Sequence, residues 1–235
     1  AYDHLLALTD DTGTFQHAKG LVPWREHGYC SDDVCRALII AVREGMFSDR
    51  LLRIRNVSVS FLLDAWNPGT GFRNFMGYDR RWLEDVGSPD SQARVLWSLA
   101  YLLKYELEAE DAFLVRELFE QAVPLVAKLD SPRTEAYLLI ALGIVDWEGP
   151  ERAALRERLF EQYAEFATDD WPWFERYLTY CNAIFSQALL LDGHPEGVEL
   201  GLRTLGWLFE HEISFGKLAP TGNEGWARPG FKAEV

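Results

Sequence analysis

Four segments of this chain share one format. A polar, aromatic-flanked stretch leads straight into a run that is apolar nearly all the way round a helix: GYCSDDVCRALIIAV (28–42), GSPDSQARVLWSLAYLL (87–103), DSPRTEAYLLIALGIV (130–145) and WPWFERYLTYCNAIFSQALLL (171–191). A helix apolar on every side must be buried on every side. Between these runs lie helices of a second kind. Over 110–129, Leu114, Leu118, Ala122, Leu125 and Leu129 share one face, while Arg116, Glu117, Glu120, Gln121 and Lys128 occupy others. Leu155, Leu159, Tyr163 and Phe166 repeat that pattern, as do Val198, Leu202, Leu205 and Phe209. Buried helices alternating with amphipathic ones predict two concentric layers.

Connections such as Asp130-Ser131-Pro132 and Trp147-Glu148-Gly149-Pro150 are short, so successive helices should be antiparallel, and four αα-hairpins account for most of residues 32 to 213. Strand signals are sparse. The stretch 68–88, with Gly69, Gly71, Gly77 and Gly87 among aromatics, reads as a long loop holding a small hairpin. Stacked hairpins can make an open superhelix, a bundle or a closed ring. In each repeat the polar cluster sits at the N-terminus of the buried helix. A ring would gather all four clusters at one end of its axis, and that end would be a pocket.

Length and a 48% hydrophobic content rich in Trp, Tyr and Phe fit one domain over 1–235 with a large core. No apolar run approaches the ~20 residues of a membrane span. A formal charge of −14 argues against nucleic acid or an anionic membrane as partner, because phosphate binding needs a basic footprint. Three cysteines do not make a disulfide framework, which points to a reducing, cytoplasmic setting. The chain opens at Ala1 without an initiator Met or a signal peptide, which suggests a trimmed chain or a fragment of something longer.

The loops carry the candidate chemistry. Ser31-Asp32-Asp33, Ser88-Pro89-Asp90-Ser91 and Ser131-Pro132 each enter a buried helix, and capping alone accounts for such residues. Two adjacent aspartates cannot both cap, so one of Asp32 and Asp33 is left for another task. Glu175 lies among large rings, where desolvation would raise its pKa and suit it to general-acid work; the alternative is a surface Glu in a first helical turn. Trp24, Tyr29, Phe72, Phe75, Tyr78, Trp82, Trp171, Trp173, Tyr180 and Trp226 crowd the same loops. Many must be core. Flat rings combined with Asp, Glu, Asn, Arg and His are also what a sugar pocket requires, and glycoside cleavage needs two carboxylates across the bond. His27, Cys30 and Cys35 lie close in sequence, with Cys181 a further thiol, but no second Cys pair completes a zinc pattern and no acidic pair follows a calcium loop, so no metal is expected. Cys30 with His27 is a conceivable nucleophile pair, against the commoner role of a small buried thiol.

The opening YDHLLALTDDTGTFQHAKGLVPWREHGYCSDDVCRALIIA resembles the start of a bacterial family of all-α toroids often encoded beside, or fused to, sugar-nucleotide glycosyltransferases. GSPDSQARVLWSLA, SPRTEAYLLIALG, WPWFERYLTYCNAIFSQALL and GNEGWARPG follow in that family's order. More distantly the chain resembles the six-hairpin glycosidase superfamily, whose (α/α) barrels hold glycoside hydrolases, sugar epimerases and polysaccharide lyases. The resemblance implies a toroid with a central pocket. Around it would stand His17, His27, Tyr29, Asp32, Asp33, Arg36, Asp90, Gln92, Arg94, Arg133, Trp173, Glu175, Tyr180, Asn182 and Gln187. Three departures stand out. Val34-Cys35 replaces a family Asn-Ala, Cys181 stands where the family tends to carry Asp, and a family domain would continue past Val235. Four hairpins therefore lead to the expectation of an incomplete ring with exposed apolar edges.

Two functional classes follow. One is an enzyme on glycans: a glycoside hydrolase with Asp33, Asp90 and Glu175 as acid, base or nucleophile, or an epimerase or isomerase using His17 or His27 as proton carriers. The other is a helical module that binds a glycan or docks a glycosyltransferase, with carboxylates tied in Arg pairs such as Asp33 with Arg94. The hydrolase is the leading expectation. Oligosaccharide is the expected partner, self-association through open edges is possible on this reading, and no cofactor is required.

Overall fold

The computed structural model describes residues 2–44, 48–105, 112–214, 216–221 and 226–229. A short α1 (Asp3–Leu8) precedes four helical pairs: α2 (Ser31–Glu44) with α3 (Asp49–Ala65), α4 (Pro89–Tyr105) with α5 (Ala112–Val126), α6 (Pro132–Ile144) with α7 (Pro150–Phe166), and α8 (Ile184–Asp192) with α9 (Pro195–His211). Within each pair the helices pack on each other, and α2, α4, α6 and α8 also pack in sequence side by side. This is an all-α toroid architecture: an inner layer of α2, α4, α6 and α8 backed by an outer layer of α3, α5, α7 and α9.

The inner layer is built as all-round apolarity requires. In α6 every residue from Arg133 to Leu142 is buried, and in α4 eleven of its residues are buried, among them Ala93, Val95, Leu96, Leu99 and Leu102. The outer helices bury one stripe each, and two of those stripes differ from the sequence expectation. In α5 the buried face is Val115, Leu118, Phe119, Ala122, Val123 and Val126, whereas Leu114 is exposed; residues 110 and 111 of the expected helix lie outside the described residues. In α9 the buried face is Gly197, Leu200, Gly201, Thr204 and Leu208, and Leu202, Leu205 and Phe209 point outward. The reason is close approach. A Cβ on Gly201 would stand 3.0 Å from the Ser186 carbonyl oxygen, and the Ser186 and Thr204 hydroxyls share a hydrogen bond of 2.8 Å. The small face makes the tight contact, and the larger apolar stripe is left as an exposed edge.

The fourth buried segment also starts later than the apolar run suggests. Residues 171–183 are turns and isolated bridges, with Leu178 paired to Ala227, and α8 begins only at Ile184. Small two-stranded ribbons close the loops: β4 (Trp66–Asn67) pairs with β5 (Gly71–Phe72), a hairpin whose first strand precedes the 68–88 stretch in which one was expected, and β3 (Tyr29–Cys30) pairs with β6 (Phe75–Met76). Beside the second ribbon, Gly28 has φ +61°, and a Cβ there would stand 2.2 Å from the Met76 carbonyl oxygen. Only glycine fits that crossing.

The layers are also joined by charge. Asp192 ends α8 with a fully buried side chain, an unfavourable place for a carboxylate at a helix C-terminus. Arg152 and Arg156 of α7 each meet it at 2.8 Å, and Arg152 also donates to its backbone carbonyl. Removing the carboxylate strands two half-buried guanidiniums. Asp192→Ala is expected to cost about 3 kcal/mol of folding stability, measured by urea unfolding; a change under about 1 kcal/mol would show the cluster to be a solvated surface contact.

Candidate functional site

The polar residues that open the inner helices form two linked clusters. The first is built on Arg133, the second residue of α6, whose side chain is only 7% exposed. Its Nε donates to the Tyr180 carbonyl at 2.8 Å and its Nη1 to Glu175 Oε1 at 2.8 Å. Its Nη2 donates to Thr179 Oγ1 and, at 3.4 Å, to Asn182 Oδ1. The guanidinium also lies over the rings of Tyr180 and Phe185, at 4.6 and 5.2 Å. One side chain thus holds four positions of the segment that precedes α8. Asn182 adds a turn of its own, accepting from the Thr179 N–H at 2.9 Å. These bonds occupy the Tyr180 carbonyl and the Thr179 N–H outside a helix, in keeping with the late start of α8. Glu175 is therefore a loop residue in an ion pair, with one buried oxygen that takes no hydrogen bond among the described residues.

Asp90, in the first turn of α4, bridges toward the same loop. It accepts from the Tyr180 hydroxyl, from Ser131 Oγ at 3.2 Å and from Thr134 Oγ1 at 3.4 Å. Burial and the Asp90 carboxylate push the Tyr180 phenol up to about 12. Ser131 turns its hydroxyl to Asp90 and makes no cap bond to its own helix. Ser88 does cap α4, accepting from the Ser91 N–H at 3.3 Å.

The second cluster joins α2 to α4. Arg94 Nη1 meets Asp32 Oδ1 at 2.8 Å, Arg36 Nη2 meets Asp32 Oδ2 at 3.2 Å, and Arg36 Nη1 meets Asp33 Oδ1 at 2.8 Å. Asp32 is thus the aspartate paired with Arg94, in place of the expected Asp33. Neither acid is free of a cation. The Arg94 guanidinium lies 4.7 Å from the centre of the Tyr137 ring, and its Nη2 stands 3.8 Å from Cys181 Sγ. Cys181 adopts φ +50°, a left-handed conformation uncommon for a side-chain-bearing residue.

Between the inner helices lies a cavity of about 570 Å³. Its walls come from α2 (Asp32, Cys35, Arg36, Ile39, Ile40), α4 (Arg94, Trp97), α6 (Tyr137), the loop before α8 (Cys181, Asn182, Ala183), α8 itself (Ile184, Gln187) and the chain after α9 (Glu212, Pro220, Thr221). From Asp32 to Ile40 it follows α2 for about 12 Å at 1.5 Å per residue. One end is polar, with Arg94 and Asn182 buried in it, and the other is Ile39, Ile40 and Trp97, of which Ile40 is exposed. Glu212 is tied into the wall by the Thr221 N–H at 3.0 Å.

Of the residues expected here, Asp32, Arg36, Arg94, Asn182 and Gln187 line the cavity, and Asp33, Asp90, Arg133, Glu175 and Tyr180 form the hydrogen-bonded frame beside it. The others lie elsewhere. His17 and His27 are exposed by the small ribbon of β1 (Ala18–Lys19) and β2 (Val22–Pro23), their rings 4.5 Å apart, and neither lines the cavity. Tyr29 is core, stacked on Phe15 at 4.8 Å with its hydroxyl donating to Asp10. Trp173 is wholly buried among Phe174, Phe185 and Trp207. Gln92 exchanges two hydrogen bonds with the Phe72 backbone and so pins β5. Cys30 and Cys35 are buried, and burial raises both thiols, Cys35 up to about 12, which disfavours Cys30 as a nucleophile. Residues 222–225 and 230 of the GNEGWARPG block lie outside the described residues.

Sequence reasoning missed Trp97, Tyr137, Ile39, Ile40 and Glu212. For Trp97 and Tyr137 a signal existed: they follow Arg94 and Arg133 by three and four residues and so share their helical faces. For Glu212, Pro220 and Thr221 none did.

Two solved structures share this fold. One is a sugar epimerase from a ruminal bacterium, 10% identical, with a TM-score of 0.69 over 97% of this chain and 72% of that one. The other is cellobiose 2-epimerase from Bacillus thermoamylovorans, 12% identical, with a TM-score of 0.70 over 92% of this chain and 73% of that one. At these identities the likeness is one of fold, and it places the chain in the α/α-toroid class. Neither a family model nor a curated protein matches the chain in sequence.

Arg133 should govern the loop that carries Cys181. Arg133→Met removes the Arg133 hydrogen bonds to Glu175, Thr179, Tyr180 and Asn182 and leaves Glu175 without its ion-pair partner, at an expected cost of about 3 kcal/mol. Cys181 is the exposed thiol of the three. Its labelling by an aromatic disulfide in the native state should accelerate in Arg133→Met, with Arg133→Lys intermediate; equal rates in all three proteins would show that Arg133 does not hold the loop.

Proposed function

We propose that this protein binds carbohydrate in the cavity between the inner helices and does so without hydrolysing it. The observation that carries the reading is the meeting of ring faces with ionic and amide edges in one cavity. Trp97 and Tyr137 lie 5.3 Å apart with their planes inclined by 33°, beside Asp32, Arg36, Arg94, Asn182, Gln187 and Glu212. Sugars present apolar C–H faces and hydroxyl edges, and this wall offers a partner to each. Hydrolysis has less support. Asp33 and Glu175 are paired with Arg36 and Arg133, and Asp90 is held by three hydroxyls. None of the three carboxylates lines the cavity wall.

Epimerisation is a second reading, favoured by the two fold neighbours being sugar epimerases. His17 and His27 stand outside the cavity wall, so on this reading the proton carriers are other groups, with Glu212 the candidate carboxylate. The wider setting proposed is cytoplasmic, beside a glycosyltransferase, with the exposed stripe of α9 available to a second copy.

A glycan panel, assayed by calorimetry for binding and by chromatography for product, tests the proposal with the wild type, Arg94→Met, Asp33→Asn, Asp90→Asn and Glu175→Gln. The expected result is binding weakened at least about tenfold by Arg94→Met and no sugar released by any protein. Release of sugar that a single carboxylate substitution abolishes would establish a hydrolase instead. Interconversion without release would select the epimerase, and absence of binding across the panel would overturn the sugar site.

A further inference from the structure

Beyond Trp97, where the cavity wall ends, a file of rings continues along α4. Trp97, Tyr101 and Tyr105 recur every four residues along α4 and so share one helical face. Successive ring centres are 6.3 and 6.1 Å apart, the last pair is parallel to within 4°, and Tyr137 of α6 precedes Trp97 at 5.3 Å. Exposure grows along the series, from a buried Tyr137 through partly buried Trp97 and Tyr101 to Tyr105 at 56%. The neighbouring helix follows the same path. Arg36 and Ile40 of α2 line the cavity, and one turn further Arg43 sets its guanidinium 5.8 Å from the Tyr101 ring centre.

We infer that this ladder is a run of sugar subsites leading out of the cavity, so that the ligand is an oligosaccharide and not a single sugar; the inference rests on the sugar-binding reading above. From Trp97 to Tyr105 the face extends about 12 Å along the helix, enough for more than one further ring. The chemistry of the walls selects a glycan over a hydrocarbon tail. Arg36 and Arg43 are exposed along the path, Arg43 over the Tyr101 ring, and Tyr101 and Tyr105 add phenols to it. An alkyl chain laid there would strip these groups of water and return nothing, whereas a hydroxylated ring stacks one face on a phenol and returns hydrogen bonds at its edge. Isolated exposed aromatics need no explanation, but a graded, evenly spaced file continuous with a cavity does.

Calorimetric titration with cello-, xylo-, manno- and malto-oligosaccharides, from monosaccharide to pentasaccharide, tests this, with octyl glucoside as the apolar control. In the series that binds, affinity should climb by about threefold to tenfold per added ring. Tyr101→Ala and Tyr105→Ala should flatten that climb; Tyr105 is exposed enough that its loss leaves the core intact, and circular dichroism verifies the fold. Binding of monosaccharide and pentasaccharide with equal affinity would overturn the ladder and leave the sugar site standing. Octyl glucoside binding more tightly than the oligosaccharides, and weakened by the same tyrosine variants, would overturn it in favour of an apolar aglycone. Tyrosine variants that change the sedimentation coefficient but not the dependence on chain length would identify the face as a contact between copies. No binding of any sugar would defeat the underlying reading together with this one.

Discussion

A guanidinium that is almost wholly buried must have its donors met, and at Arg133 the chain meets them with a loop. Burying a charge without partners would cost several kcal/mol, so the side chain is tolerable only with its ion pair, its hydrogen bonds and its ring contacts in place. Because those partners are spread from Glu175 to Asn182, satisfying one residue fixes the path of eight. That path brings Cys181 against Arg94 and Asn182 into the cavity wall. The cavity on one side is therefore a by-product of an electrostatic requirement at the head of α6.

The second cluster meets a related requirement differently. Arg94 and Arg36 share the two oxygens of Asp32, and Arg36 also reaches Asp33, so two acids and two bases interlock where α2 and α4 begin. Acids near helix N-termini are favourable in themselves, and cross-linking them to the neighbouring helix turns a local preference into a tertiary contact. The change from an ionic end to an aliphatic and aromatic end along α2 and α4 gives the cavity its two characters.

How much of this could be read from residues alone depends on the range of the interaction. The inner helices were legible because all-round apolarity is a local property: the run from Ala136 to Leu142 has no exposed side, and no tertiary knowledge is needed to see it. The polar residues that open the inner helices were legible too, through the placement of Asp32, Asp90 and Arg133 in the first turn or two of their helices, though of the three only Asp32 lines the cavity. What failed was decided at a distance. Nothing within 171–183 announces that Arg133, some forty residues earlier, will hold it out of helix. Periodicity in α9 showed which side was apolar but not which side was small, and the close approach at Gly201 chose the small side. His17, His27, Tyr29 and Trp173 were drawn toward the pocket by their chemistry, and the structure uses them for surface and core.

The β3–β6 ribbon has a consequence for how the chain reaches this state. Helix packing here is divided between a helix and its immediate neighbour in the chain and each inner helix and the next inner helix, a repeat-like pattern in which each unit touches chiefly the units beside it. The ribbon is different. It joins Tyr29 to Met76 across the whole of α2 and α3, with the Ser31 hydroxyl reaching the Arg73 carbonyl at 2.6 Å beside it. Closing that loop carries an entropic cost that local pairing avoids. The first hairpin is thus bracketed by a ribbon that its own helices do not supply, as the last is by the bridge between Leu178 and Ala227, and in both the securing contact must wait until the helices between are in place.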